Sequence, residues 1–433
     1  MPPHRTRRQL LLSGLRSLRY CCILFEEANL KELLEEFDRI VVADFNVPAF
    51  PFRCVLSELH WNFQEEGLHE LMELAGILTA PRYMCDRGLY NEAMTPEAAE
   101  VFFSFRELET WCHCSPESFN FIYDAVKNHE VFAYRGRRRQ VSVKFQLFCA
   151  LARLCCLGSS INRFASSFHT SHGSILTYAT RVCTALNSVE KQYVKWPSAT
   201  RRRVLGEYGA ETFGFPGYIG QQDGTHFYFM YSPGYSMHPE AYYDTLHSGG
   251  YGYNVLLTAD HTGSVIHYAL GWPGQTHDST IQMQTAMYSD PWSWFDKGEY
   301  LFVDSGFSRQ MWAVPPFKGM EANRPENKAF NFAMRRGRCR IEHVNAVLKN
   351  RFASLKMIPI KVMCDDDLER VNSWIRACLT LHNIFIRLRD EWYFETKDDD
   401  VTKQKVAKED EADVSGKEFQ AMVRDRWLEA NWP

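Results

Sequence analysis

Four acids stand where they could hold a divalent cation. Asp223 lies between Gln222 and Gly224 inside the aromatic, strand-like run GYIGQQDGTHFYFM. A carboxylate among such neighbours is partly desolvated unless it is paired or bound to metal. Asp304 ends the apolar run YLFV and opens onto Ser305-Gly306. The carboxyl end of a strand before a glycine loop is a common place for site residues in α/β sheets. Asp278 follows the loop GWPGQTH and precedes a helical pattern, so a helix N-cap is its competing role. Glu342 shares a polar helical stripe with Arg335, Arg338, Asn345 and Lys349, opposite an apolar stripe of Ile341, Val344, Leu348 and Phe352. Its competing role is an i,i+4 ion pair with Arg338, worth about 0.3–0.5 kcal/mol on a surface. Converging from two strands, a loop and a helix, Asp223, Asp278, Asp304 and Glu342 would make an oxygen-rich pocket suited to Mg²⁺ or Mn²⁺. Two such ions can clamp the attacking and leaving oxygens of an in-line phosphodiester displacement. His226, His277 and His343 flank three of these acids. Each could orient a carboxylate or water, though a lone histidine beside an acid is more often a structural partner.

The elements that must position these acids read as an α/β domain over 216–390. GYIGQQDGTHFYFM, YGYNVLLTAD and SVIHYALGW are rich in aromatic and β-branched residues, with Gly or Pro punctuation. A turn at Asp260–Gly263 joins the second and third as a hairpin. STIQMQTAMYSD reads as a helix, EYLFVDSGF as a short buried strand, and NKAFNFAMRRGRCRIEHVNAVLKNRF as a long helix. DDLERVNSWIRACLTLHNIFIRL is a further amphipathic helix. Strands followed by strand–helix alternation indicate α/β architecture. Upstream, 115–190 reads as all-helical. Ser115 precedes Pro116 and Glu117 as a good helix start. A basic loop holds Arg135, Arg137, Arg138 and Arg139, and an apolar helix then runs through Phe148, Leu151, Ala152 and Cys155. SSINRFASSFHTSHGSILTYATRVCTAL has a helix-turn-helix outline, whose second helix offers Ser171, His172, Ser174, Thr177 and Arg181. Simple helix packing is an equal reading of it. Residues 1–110 form a helical N-terminal extension without a chemical motif, and 396–433 a charged C-terminal tail, partly disordered.

Bulk composition narrows the classes. At 433 residues the chain can hold two or three domains. Its formal net charge of -4 gives no global attraction to nucleic acid, so phosphate affinity must come from local basic patches. Thirteen cysteines fit neither a disulfide framework nor a zinc ribbon. Cys112-His113-Cys114 is too tight for the usual ligand spacing, and buried free thiols are the reading preferred here. No stretch is long and apolar enough to cross a membrane. The basic N-terminal segment reads as an amphipathic helix rather than a secretory signal.

IGQQDGTH, GWPGQTHDS, YLFVDSGF, AFNFAMRRGRCRIEHVNAVLKNRFASL and CLTLHNI occur in that order. Together, from about 218 to 385, they resemble the DDE endonuclease domain of the PIF/Harbinger transposase superfamily and its domesticated relatives. The acids are 55, 26 and 38 residues apart, spacings like those of the family. The resemblance implies a ribonuclease-H-like fold and a catalytic triad of Asp223, Asp304 and Glu342. Asp278 joins them in the metal site, and the cofactor is Mg²⁺ or Mn²⁺. It also implies a helix-turn-helix region over 115–190, DNA as partner and a Myb-like partner protein. A homo-oligomer is compatible with the sequence but not readable from it, and the nucleus as location follows from the expected function. The short clusters Arg135–Arg139 and Arg201–Arg203 would serve nuclear import. Arg335, Arg336, Arg338, Arg340, Lys349 and Arg351 could neutralise DNA phosphates. After Tyr242-Tyr243 the chain departs from the family, reading DTLHSGGYGYN. The expected function is a metal-dependent endonuclease or transposase. Two alternatives stand beside it: a catalytically inactive DNA-binding or scaffold protein that keeps the fold, and a hydrolase of small phosphate esters.

Overall fold

A computed structural model describes residues 99–133, 140–157, 160–245, 249–390 and 414–431. The readings made for 1–98, for Arg135–Arg139 and for the acidic stretch 396–413 lie outside the described residues. The helical region comprises α1 (Pro116–Val126), α2 (Val143–Cys155), α3 (Ile161–Ser167) and α4 (His172–Tyr193). The Ser118 amide donates to the Ser115 hydroxyl at 3.2 Å, so α1 starts where its Ser-Pro signal lies. Helix α2 is buried from Phe145 to Cys155. Around it, Phe102, Phe145, Phe148 and Phe168 meet in tilted and edge-on contacts, the arrangement that ring quadrupoles favour. Cys112, Cys114, Cys149 and Cys155 are buried free thiols in this region, and burial pushes each thiol pKa up.

The next helix, α5 (Ala199–Phe213), has no clear apolar period, and the sequence predicts no element there. Ser198 caps its start, with its hydroxyl accepting from the Arg201 amide, and Gly214 ends it at φ 74°. Gly209 explains its place. A Cβ there would press on the Phe215 and Tyr218 carbonyls at 3.0 Å, so the missing side chain lets α5 lie against the first strand.

Five strands form one sheet: β1 (Tyr218–Tyr228), β2 (Gly252–Ala259), β3 (Val265–Pro273), β4 (Tyr300–Val303) and β5 (Ala313–Val314). Their order is β3-β2-β1-β4-β5. The first three are antiparallel neighbours, while β4 runs parallel to β1 and β5 parallel to β4. The fold is therefore mixed α/β with a helical region ahead of the sheet. STIQMQTAMYSD does not form one helix. It gives α6 (Asp278–Met283) and a short turn of helix at Ala286–Ser289. The chain breaks at Thr285, which adopts an extended conformation while its hydroxyl donates to the Gln282 carbonyl at 2.7 Å.

Two long helices, α7 (Pro325–Arg351) and α8 (Asp365–Leu388), complete this part. Phe227, Tyr253, Val255 and Leu257 face Ile341, Val344 and Leu348 of α7 and the buried side of α8. Ile219, Leu256, Leu301 and Val303 face the other way, towards Ile281 of α6 and Trp312. Alternate residues of β2 thus serve opposite faces, as the pleat requires. Asn383 of α8 secures the β3 edge by bonding both the amide and the carbonyl of Val265. Glu190 of α4 accepts from Arg376 Nε at 2.8 Å and from the Tyr268 hydroxyl, tying the helical region to α8 and β3.

The expected tail over 396–433 divides. Residues 414–431 form α9 (Val414–Asn431), with Phe419, Val423 and Trp427 buried beside Phe215, Phe317 and Phe330. Gln420 donates to the Pro315 carbonyl at 2.7 Å, and Trp427 Nε1 to the Phe213 carbonyl at 3.2 Å. This helix is part of the core. Trp427→Ala is accordingly expected to lower stability by about 3–5 kcal/mol in chemical denaturation, and a loss below about 1 kcal/mol would show that α9 packs only loosely.

Candidate active site

Strand register places the first two acids. In the parallel pair β1–β4, Gln222 lies opposite Val303, so Asp223 and Asp304 follow one step on as neighbours. Parallel strands run about 4.8 Å apart. Both acids belong to the α7 face. Leu257, opposite Asp223 across β2, is packed there, and so is Phe302, two residues before Asp304.

Helix α7 brings the third acid because it can come close. Gly337 is buried against Phe302, whose ring atoms would stand 3.2 Å from any Cβ at that position. A mid-helix glycine costs roughly 1 kcal/mol relative to alanine. Here it lets the helix lie on β4. The next residue, Arg338, then reaches Asp304 with Nη1 and donates from Nη2 to Glu342 at 2.9 Å. Arg338 is mostly buried, whereas the Glu342 side chain is 58% exposed. The i,i+4 pair that competed with a metal role for Glu342 is thus formed.

Asp223 sits beneath this pair. Burial pushes its carboxyl up to about 7, with Arg338 pulling down and Asp304, Asp278 and Glu342 pushing up. Among the described residues no hydrogen bond reaches it. Lys349 comes from the same side, its ammonium 5.7 Å from the Phe227 ring centre. Burial lowers its pKa to about 8, against the opposing pull of Asp223.

Asp278 acts on Asp223 through its charge but is not bound by Arg338, which pairs with Asp304 and Glu342. It is the first residue of α6, with His277 at the N-cap position making no side-chain cap bond. Its carboxylate accepts from Asn254 Nδ2 at 2.6 Å, and the same amide donates to the Thr276 carbonyl at 2.8 Å. It rests against Gly224, where any Cβ would overlap the carboxylate. Gly224 points to the face opposite Asp223, so Asp278 lies behind the strand. The expected four-acid pocket is therefore three acids on one face and one on the other. Sequence reading overlooked Gly224 and Asn254. A glycine inside a strand does mark a close approach, and that signal was present in Asp223-Gly224.

The flanking histidines divide too. His226 Nε2 lies 3.1 Å from the Gly274 carbonyl and 3.9 Å from Asp244, while His277 and His343 are exposed. The basic residues near Glu342 also separate by role. Arg338 and Lys349 face the acids, and Arg351 is buried against Asp390. Arg335, Arg336 and Arg340 are exposed. Within the 201–203 cluster, Arg202 is buried between Glu299 and Asp296, and Arg201 lies 3.5 Å from Asp260.

In the helical region, α3 and α4 are joined by a turn in which His169 has φ 46°. Ser171 caps α4, and His172 and Thr177 are exposed. Arg181 instead turns towards Gln140 and Gln146, at 3.3 and 3.4 Å, beside a cleft of about 490 Å³.

The donor chemistry at Asp223 and Asp304 suits a hard divalent cation. The third donor is held by Arg338, however, and no three Asp, Glu, His or Cys side chains among the described residues stand in metal-holding geometry. A guanidinium supplies the positive charge in this arrangement.

Residues 222–383 match a family model described as DDE superfamily endonuclease. The matched span starts one residue before Asp223 and contains all four acids. No curated protein matches the chain, and no solved structure does.

The raised Asp223 pKa fixes a sign. The folded state keeps this proton to about pH 7, while the unfolded chain releases it near 3.9. Between those values the fold binds more protons, so stability falls as pH rises. Asp223→Asn, assayed without divalent ions, is expected to match wild type near pH 3.5 and exceed it by about 2–4 kcal/mol at pH 8. Parallel pH profiles for the two proteins would show that the shift resides elsewhere.

Proposed function

We propose that 216–390 is a ribonuclease-H-like endonuclease of the PIF/Harbinger type, cutting DNA phosphodiester bonds with divalent ions held by Asp223, Asp304 and Glu342. One observation carries the reading: two carboxylates stand side by side at neighbouring strands, on the face where α7 presents Glu342. Further support comes from the endonuclease match and from the strand order β3-β2-β1-β4-β5, with its antiparallel and parallel halves.

Bound divalent ions would activate the attacking oxygen and stabilise the departing one. The chain's own residues do the rest. Asp223 and Asp304 offer oxygens from a rigid sheet, so their positions vary little. Asp278 and Asn254 brace β1 from behind at Gly224. Arg338 neutralises Asp304 and Glu342, and Glu342 would have to leave this pair to hold an ion. Lys349 adds positive charge on the side from which a phosphodiester would approach. DNA phosphates are held by the exposed Arg335, Arg336 and Arg340.

The Arg338 contacts also favour a second reading, in which the guanidinium replaces the metal and the protein binds DNA without cutting it. Nicking of supercoiled plasmid separates the two. Wild type with Mg²⁺ or Mn²⁺ is expected to nick the plasmid, Asp304→Asn to be reduced at least 100-fold, on the order of 3 kcal/mol in the barrier, and chelator to abolish the activity. DNA binding without nicking by wild type would favour the inactive protein, and equal nicking by Asp304→Asn would remove the acids from the mechanism.

A further inference from the structure

Phe332 projects from α7 with 74% of its surface exposed. Its surroundings distinguish it from an ordinary surface apolar residue. Lys328, Arg335 and Arg336, at i−4, i+3 and i+4, are its neighbours on the helix surface, and all three are exposed. Among the described residues none of the three has an acidic partner, because Asp304 and Glu342 are both engaged by Arg338. The core has no claim on this ring. Phe330, Met334, Gly337 and Ile341 form the buried side of α7, and α9 packs against that side through Phe419 and Val423.

An aromatic ring framed by cations, on the helix that carries Glu342, matches a nucleic-acid strand with unpaired bases. The cations meet the phosphates, and the ring offers a flat face to a base. In an intact duplex the base faces are hidden in the stack, so only an unpaired or unstacked base can use it. Ten helical residues separate Phe332 from Glu342, about 15 Å along the axis at the α-helical rise. That is about four base steps at the 3.4 Å spacing of one strand.

Resting on the nuclease reading above, we infer that the exposed face of α7 is a DNA track whose substrate carries unpaired bases about four nucleotides from the scissile phosphate, with Phe332 as their stacking platform. The prediction concerns substrate class: gapped, bubbled or distorted DNA over fully paired DNA.

The test is fluorescence anisotropy of the full-length chain, in chelator, on a 30-base-pair duplex and on the same duplex with a central four-nucleotide bubble. Wild type is expected to bind the bubble about tenfold more tightly. Phe332→Ala loses that preference, Phe332→Trp keeps it, and Arg335→Ala with Arg336→Ala weakens both substrates alike. Equal binding of bubble and duplex by wild type, or an undiminished preference in Phe332→Ala, overturns the proposal and leaves the nuclease reading standing. Absence of binding to either DNA overturns both.

Discussion

Carboxylates at the same level of neighbouring strands repel each other, and a fold that keeps two there must supply positive charge. In this protein the charge is Arg338. Its guanidinium reaches Asp304 and Glu342 together and lowers the cost of ionising Asp223 below them. Much of the surrounding architecture depends on that requirement. Helix α7 must lie close to β4, so position 337 is glycine. The helix must hold its register over seven turns, which α8 on one side and α9 on another ensure by burying Leu348, Phe330 and Met334. The strands must not shift either, and Asp278 and Asn254 wedge against the back of β1 at Gly224.

Such an arrangement links stability to function. Asp223 is held in a setting that disfavours its charge, which weakens the metal-free fold above neutral pH. A cation entering among the acids would relieve the strain, so binding and folding are coupled. Pre-organised carboxylates of this kind would suit the metal-dependent phosphodiesterase proposed above.

Sequence alone revealed the strands that carry Asp223 and Asp304, the hairpin between β2 and β3, and the helices carrying Glu342 and Asn383. Those elements have strong periodicity or sharp punctuation, and their physics is local. Contacts between elements were harder to read. That Asp278 approaches Asp223 from behind the strand was not legible, because spacing along a chain carries no information about which face of a strand a neighbour occupies. Helix α5 was invisible because Gly206 and Gly209 erase its apolar period, and Gly209 also lets it approach the sheet. Helix α9 was hidden by the charged stretch before it, although Phe419, Val423 and Trp427 lie at helical spacing. Arg338 was legible as a competing partner of Glu342, but its bond to Asp304 depends on how α7 is placed.

The division of the acids between two faces of β1 is the central claim, and metal binding tests it without any need for a DNA substrate. Titrating Mn²⁺ into the full-length chain by calorimetry, we expect binding that Asp223→Ala and Asp304→Ala each abolish and that Asp278→Asn changes by less than about fivefold, roughly 1 kcal/mol. Loss of binding in Asp278→Asn, with Asp304→Ala still binding as wild type does, would contradict the account and move the metal to the other side of the strand.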